Sequence, residues 1–243
     1  MGLADLHLHT IFSIDATCTA AAVLEQARRR KLDIIAITDH DSMQAVNQAL
    51  ELSAHYQVQV IPAMEISTAE GHLLAYEIKS PIARGQSLED SLLQVHEQGG
   101  FCIIPHPAAV AAHSISLQNL TKALENETAA KTVVAMEALN GGFYRRNHLA
   151  EKILAQLPLA PVGGSDAHIL DGVGRAVTQF EGNTVDDLKS ALRKRQTRPT
   201  WHHRTNGIVY MLQHYLYRAL RLSGWVVSVE GHGQPFRLSR TQN

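Results

Sequence analysis

Apolar and polar residues alternate along Ala4-Asp5-Leu6-His7-Leu8-His9. That period of two predicts a strand with both leucines on one side and both imidazoles on the other. A short apolar run rich in β-branched residues follows at 32–38 and predicts a strand covered on both faces. Residues 58–66, 101–104, 132–138 and 160–163 read as further strands. Residues 72–78 read as another strand, joined to the one before it by the turn Ala69-Glu70-Gly71. Helical spacing covers 20–30, 42–55, 88–98, 116–127, 144–156 and 184–194. Gly99-Gly100 stops the third of these. Thr184, followed by acidic Asp186 and Asp187, caps the start of the last. Strand and helix thus alternate in about seven units, which predicts a parallel α/β barrel rather than an open sheet.

The texture changes near Pro199. Residues 207–222 predict a helix with exposed aromatics and arginines, 225–229 one more strand, and the last dozen residues a frayed tail. The chain therefore divides into a barrel, 1–200, and a C-terminal extension, 201–243. With Trp201, Tyr210, Tyr215, Tyr217 and Trp225, the extension is either a cover across the barrel or a surface through which copies form a homo-oligomer.

Composition narrows the function. The chain's 243 residues suffice for one large core, and a net charge of −1 provides no bulk field for nucleic acid or an anionic membrane. Cys18 and Cys102 stand too far apart in sequence for a CxxC motif and suggest no disulfide framework. No basic-then-apolar segment opens the chain and no apolar run approaches membrane-spanning length, so a cytoplasmic location without membrane association is expected. The departure from the ordinary is 14 histidines. Their placement decides the matter, because histidine is both the commonest metal ligand and the usual acid–base residue.

The ends of the predicted strands carry His7 and His9, His40, Glu65, His106, Glu137, then Asp166 and His168. From His9 to Asp166 the steps between them are 25 to 41 residues, near the ~30 of one βα unit. One candidate ligand set per unit therefore falls at a strand's C-terminal end, where barrel enzymes build their sites. Asp15 in the first loop and His72 on the short fourth strand reach the same mouth. Four carboxylates crowded there, Asp15, Glu65, Glu137 and Asp166, would repel one another and lose hydration unless cations compensate. Imidazole and carboxylate without thiolate suit Zn²⁺, Mn²⁺ or Fe²⁺, and so many donors fit two or three ions better than one.

Five motifs, Asp5-Leu6-His7-Leu8-His9, Thr38-Asp39-His40-Asp41, Glu65-Ile66-Ser67, Ile104-Pro105-His106-Pro107 and Gly164-Ser165-Asp166-Ala167-His168, occur in that order. Together they resemble the PHP (polymerase and histidinol phosphatase) domain family. The resemblance implies a distorted seven-stranded (β/α)7 barrel holding up to three metal ions that activate water against phosphate esters. It implies His7, His9, Glu65 and Asp166 around the first ion, with Glu65 bridging to a second ion on His72 and His106. Asp15, His40 and His168 would take the third. Asp15-Ala16 departs from the Asp-Gly of many relatives but leaves the ligand in place.

The expected activity is hydrolysis of a small phosphorylated substrate, a nucleotide or other phosphomonoester, with short oligonucleotides next. Attack would come from a metal-bridging hydroxide, with Glu65, Asp166 and His168 as the catalytic residues. Three divalent ions outweigh the carboxylates and leave a pocket suited to an anionic ester. Arg145 and Arg146 could clamp the phosphate, and Glu137 is either a ligand or a hydrogen-bond partner of one. Arg175 is expected in a structural ion pair. His55, His96, His113, His148, His202, His203, His214 and His232 are expected at the surface or in packing. The rival readings are a metal-dependent hydrolase of C–N bonds and a non-catalytic, metal-binding regulatory module.

Overall fold

A computed structural model describes residues 1–109, 113–142, 147–203, 205–231 and 237–240. In chain order the elements are β1 (Gly2–Leu8), α1 (Ala20–Arg29), β2 (Ile34–Ile37), α2 (Gln44–Tyr56), β3 (Gln59–Thr68) and β4 (Gly71–Tyr76). Then come α3 (Leu88–Glu97), β5 (Phe101–Ile104), α4 (Leu117–Ala123), α5 (Glu127–Thr132), β6 (Val133–Asn140) and α6 (Asn147–Leu154). The remainder is β7 (Ala160–Gly164), β8 (Ala176–Phe180), α7 (Val185–Lys194), β9 (Arg198–Trp201), α8 (Gly207–Leu222), β10 (Trp225–Ser228) and β11 (Arg237–Arg240).

The described residues form a nine-stranded sheet in the order β7-β6-β5-β4-β3-β2-β1-β8-β9, two strands more than expected. Nor is it all parallel. The β3–β4 hairpin can only pair antiparallel, β4 runs antiparallel to β5, and β8 returns antiparallel to β1 and β9. The sheet curls until its far strand meets β8. There the Thr178 hydroxyl accepts from the Gly163 amide at 2.9 Å and donates to the Gly163 carbonyl at 2.8 Å. A side chain at Gly163 would run into the Val177 backbone, so glycine is what allows the seam to close.

Ala4, Leu6, Ile34, Ala36, Ile61, Ala63, Leu74 and Tyr76 form the apolar inner layer, into which α7 sends Leu188, Ala191 and Leu192. Helices α1 and α2 cover the other face of β2 through Val23, Leu24, Ala45 and Ala49 against Ile35 and Ile37. Leu8 belongs to this outer layer and Leu6 to the inner one, so the two leucines do not share a side. The cause is a break in the β1–β2 register between Asp5 and Leu8. A bulge of this kind re-aims the side chains that follow it, which a strict period of two cannot show.

Two further expectations change. The single helix over 116–127 is two helices, because the Asn126 side chain accepts from the amides of Thr128 and Ala129 and starts α5 afresh. Part of the supposed frayed tail is β11, paired antiparallel with β10 from Trp225↔Arg240 to Ser228↔Arg237. Thr184 does cap α7, in a reciprocal box with Asp187. Among the described residues no helix is long and apolar enough to cross a membrane.

Candidate metal centre

Seven strands deliver their polar residues to one end of the barrel. His7 lies on β1, with His9 just beyond it and Asp15 in the following loop; His40 follows β2 and Glu65 lies on β3. His72 sits near the start of β4, which reaches the same end because that strand runs antiparallel. His106 follows β5, Glu137 lies on β6, and Asp166 and His168 follow β7. Asp41, His106 and Asp166 hold φ values of 50°, 31° and 51°, a left-handed backbone that such residues adopt only where their surroundings impose it. Asp39 binds the first loop to β2 by accepting from the Thr10 amide (2.7 Å), the Thr10 hydroxyl (2.5 Å) and the Ser13 hydroxyl (2.8 Å).

Glu65 is the hub. Its Oε2 lies 3.5 Å from His7 Nε2, 3.4 Å from His9 Nε2 and 3.1 Å from His40 Nδ1. Its Oε1 lies 3.0 Å from His72 Nδ1 and 3.2 Å from His106 Nε2. Asp166 Oδ1 stands 3.4 Å from the Nε2 atoms of both His7 and His9. Asp15 Oδ2 is 3.4 Å from His168 Nε2, and its Oδ1 is 3.9 Å from His40 Nε2.

Four sets of three offer ligand atoms within 4.8 Å of one another: His9–His40–His168, His7–His9–Asp166, His7–Glu65–His106 and His40–Glu65–His72. His72 therefore groups with His40 as well as sharing Glu65 with His106. His7 Nε2, His9 Nε2 and Asp15 Oδ1 are buried without a hydrogen-bond partner. Orphaned lone pairs at buried polar atoms are costly, and a cation removes that cost. No sulfur enters any of these sets. The residues fit divalent ions of the kind imidazole and carboxylate prefer.

Several imidazoles are oriented through their other nitrogen, as metal-ligating histidines commonly are. His7 Nδ1 meets Glu137 Oε1 at 2.9 Å, His9 Nδ1 meets Ser13 Oγ at 3.1 Å, and His106 Nδ1 meets Ser114 Oγ at 3.3 Å. His168 Nδ1 faces the Asp166 carbonyl at 3.0 Å. Glu137, read from the sequence as either a ligand or a hydrogen-bond partner of one, stands behind His7. Its other oxygen accepts from the His106 amide at 2.7 Å and the Asn140 amide group at 2.8 Å. Both oxygens thus hold candidate ligands or the chain beside them in place.

Burial opposes charge on Glu65, Asp166 and Asp15, yet these three carboxylates stay ionised. Burial pushes the Glu65 carboxyl up, but His40 and His7 outweigh it and hold it well below the usual range. The same holds for Asp166 against His7 and His9, and for Asp15 against His168. Burial and then His168 and His40 bring His9 down to about 3, so its ring is neutral and its lone pair available. Burial lowers His168 too, but Asp15 prevails and raises it to about 9.

The sequence also left site residues unread. His214, expected at the surface or in packing, points from α8 toward the mouth, its ring 5.5 Å from that of His168 and its Nδ1 buried. Tyr210, His214, Tyr217 and Arg221 recur at helical spacing, a polar stripe that could have revealed the face turned to the site. His113 lies against His72, ring to ring at 5.5 Å, and its carbonyl accepts from the His72 amide at 2.8 Å. Beside it opens a cavity of about 470 Å³ with Ser67, Thr68, His72, Arg84 and Ser114 in its walls. Arg175 makes no ion pair among the described residues; its guanidinium lies 4.4 Å over the Tyr210 ring and anchors α8. Arg145, Arg146 and His232 fall outside the described residues.

A family model described as PHP-associated matches residues 145–197. A protein of Methanocaldococcus jannaschii is 31% identical over 114 residues, which is 43% of this chain and 67% of that protein. A second from the same organism is 27% identical over 236 residues, 87% of this chain and 93% of the other. A shorter match, 40% identical over 63 residues, joins 26% of this chain to 24% of phosphoribosyl 1,2-cyclic phosphate 1,2-diphosphodiesterase of Eggerthella lenta.

Among solved structures, a two-domain protein of Bacteroides vulgatus containing a predicted PHP-like metal-dependent phosphoesterase superposes with a TM-score of 0.67 at 20% identity. The match covers 97% of this chain and 74% of that one. PsfC of Pseudomonas syringae superposes with a TM-score of 0.66 at 20% identity, over 90% of this chain and 98% of its own. With motif order, barrel and histidine–carboxylate mouth all in agreement with these matches, the chain belongs to the PHP domain family.

Proposed function

We propose that the chain is a metal-dependent phosphoesterase acting on a small phosphate ester, a nucleotide or another phosphomonoester, at the barrel mouth. The observation that carries this reading is Glu65, buried and within 3.5 Å of nitrogens from five histidines on or beside four other strands. No apolar core needs such an arrangement, and no ordinary ion pair uses one.

Divalent ions held by His7, His9, His40, Glu65, His72, His106, Asp166 and His168 would lower the pKa of water and neutralise charge on phosphoryl oxygens. The chain's own residues do the rest. Glu65 joins the two halves of the site, since its two oxygens face different histidines. Asp166 and His168, on one tight turn after β7, aim at neighbouring sets, and Glu137 keeps the Nε2 lone pair of His7 directed inward. Asp15, Glu65 and Asp166 carry the negative charge of the site, which three divalent ions outweigh; the resulting positive pocket favours an anionic ester over a neutral amide. The cavity beside His72 gives the leaving group a polar place to lie. Neither cysteine supplies a nucleophile: burial pushes the Cys18 thiol up to about 12 and raises Cys102 as well.

The test uses chelator-stripped protein reloaded with Mn²⁺, Zn²⁺ or Fe²⁺ and supplied with p-nitrophenyl phosphate and a panel of phosphorylated metabolites. Phosphate release should appear on reloading and vanish on stripping. The reading fails if no ester is cleaved with any of the three metals. It also fails if amide or lactone substrates turn over faster, or if His9→Ala protein hydrolyses as well as the wild type.

A further inference from the structure

We infer that Arg221 is a positioning residue for Asp15, which stands beside the His9–His40–His168 set and would complete a metal site with His40 and His168, and that the C-terminal segment is part of that site's framework. The inference rests on the metal centre proposed above but not on the reaction it performs. Asp15 is carried by the loop between β1 and α1, which lacks regular helix or strand of its own. Arg221, on the inner face of α8, gathers the near half of that loop. Its Nη2 donates to the carbonyls of Ile11 at 2.8 Å and Ser13 at 2.9 Å, and its Nε donates to that of Ile14 at 3.2 Å.

On the far side of Asp15 the same C-terminal segment takes hold again. The Val229 amide donates to the Thr17 carbonyl at 2.8 Å and the Thr19 amide to the Val229 carbonyl at 3.1 Å, pairing Val229 with Cys18 as an isolated bridge. The Thr17 amide donates in turn to the carbonyl of His168 at 3.0 Å, so the gripped loop is tied directly to a second ligand. Asp15 is thus bracketed by residues more than two hundred positions away in sequence.

Ordering backbone costs about 1–2 kcal/mol per residue. A ligand on a free loop would meet that cost at the moment of ion binding, whereas the Arg221 contacts meet it during folding. A planar guanidinium can reach three carbonyls at once, which a lysine ammonium on its single flexible stem does poorly. The helix is oriented accordingly. Its apolar Ile208, Leu212, Tyr215 and Leu216 face solvent, while Arg221 turns toward the loop.

Zinc uptake by wild type, R221A, R221K and D15A, counted by native mass spectrometry and chelator-competition titration, tests the inference. R221A should lose one equivalent or hold it about 10–100-fold more weakly, leaving the ions on Glu65, His7, His106 and Asp166 in place. R221K should fall between R221A and wild type. D15A should show the same deficit, and the double variant should be no worse than D15A alone.

Wild-type uptake by R221A overturns the inference. So does equal weakening of every ion, the mark of general loosening, or a D15A protein that loses none. A wild type that takes up no zinc overturns the metal centre and this inference together. A wild type that loads zinc yet cleaves no ester leaves Arg221 to be judged on the zinc counts alone and removes only the phosphoesterase reading. If R221A does not fold, R221Q joins R221K in the same comparison.

Discussion

The two ends of the barrel are closed by two helices built on opposite plans. At the floor, α7 turns Leu188, Ala191 and Leu192 into the inner apolar layer. Glu77 and Lys189 make an ion pair at 2.6 Å beside it. At the mouth, α8 turns Tyr210, His214 and Arg221 toward the site and leaves Ile208 and Leu212 73% and 67% exposed. The floor helix removes apolar surface from water, which is the main source of folding free energy. The mouth helix gains little from that source and is held by polar contacts to a loop and by Arg175 over Tyr210. The floor therefore serves stability and the mouth serves chemistry, and substitutions should sort along that line.

The largest effect belongs to the mouth. Glu65→Gln should abolish phosphate release, a loss of at least ~10³-fold in kcat/KM, since it disconnects the hub on which the several kcal/mol of metal catalysis depend. It should also remove the stabilisation expected of the wild type on saturation with metal, about 2.7 kcal/mol at a hundred times Kd and visible as a higher Tm. Calorimetry with and without metal checks both ends of that claim. Retained metal-dependent stabilisation would mean that Glu65 is not the hub.

Next comes the floor. Leu188→Ala should cost about 2–5 kcal/mol in denaturant unfolding while the folded fraction keeps wild-type metal uptake. Metal loss in that variant would erase the distinction between the two ends. Thr184→Ala, which removes the α7 cap, should cost about 1 kcal/mol by the same measurement. Smallest of all, Leu212→Gln on the outer face of α8 should change stability by no more than about 0.5 kcal/mol, because nothing among the described residues covers that side chain. A cost comparable to that of Leu188→Ala would show the outer face to be buried in solution.

Much of this was legible in the sequence, for a physical reason. Polar residues at strand ends keep the spacing of the βα unit, so His7, His40, Glu65, His106 and Asp166 could be placed at one mouth without coordinates. What resisted reading depends on partners distant along the chain. The bulge that sends Leu6 and Leu8 to different layers exists only against β2. The capture of Glu137 by His7, His106 and Asn140 needs two other elements in place. Strands β8 and β9 are short, and polar residues and Pro199 interrupt their apolar pattern, so only pairing reveals them. The inward stripe of α8 was present in its helical phase, but the outward apolar stripe is the stronger signal and points the wrong way.

The seclusion of the two sulfurs has an experimental use. Cys18 and Cys102 are both buried in apolar layers, and neither joins the donor sets at the mouth. Cobalt(II) substituted into the protein should therefore give visible ligand-field bands from nitrogen and oxygen alone, with no near-ultraviolet charge transfer from thiolate. The colour of the cobalt form becomes a clean gauge of how the imidazoles and carboxylates are filled.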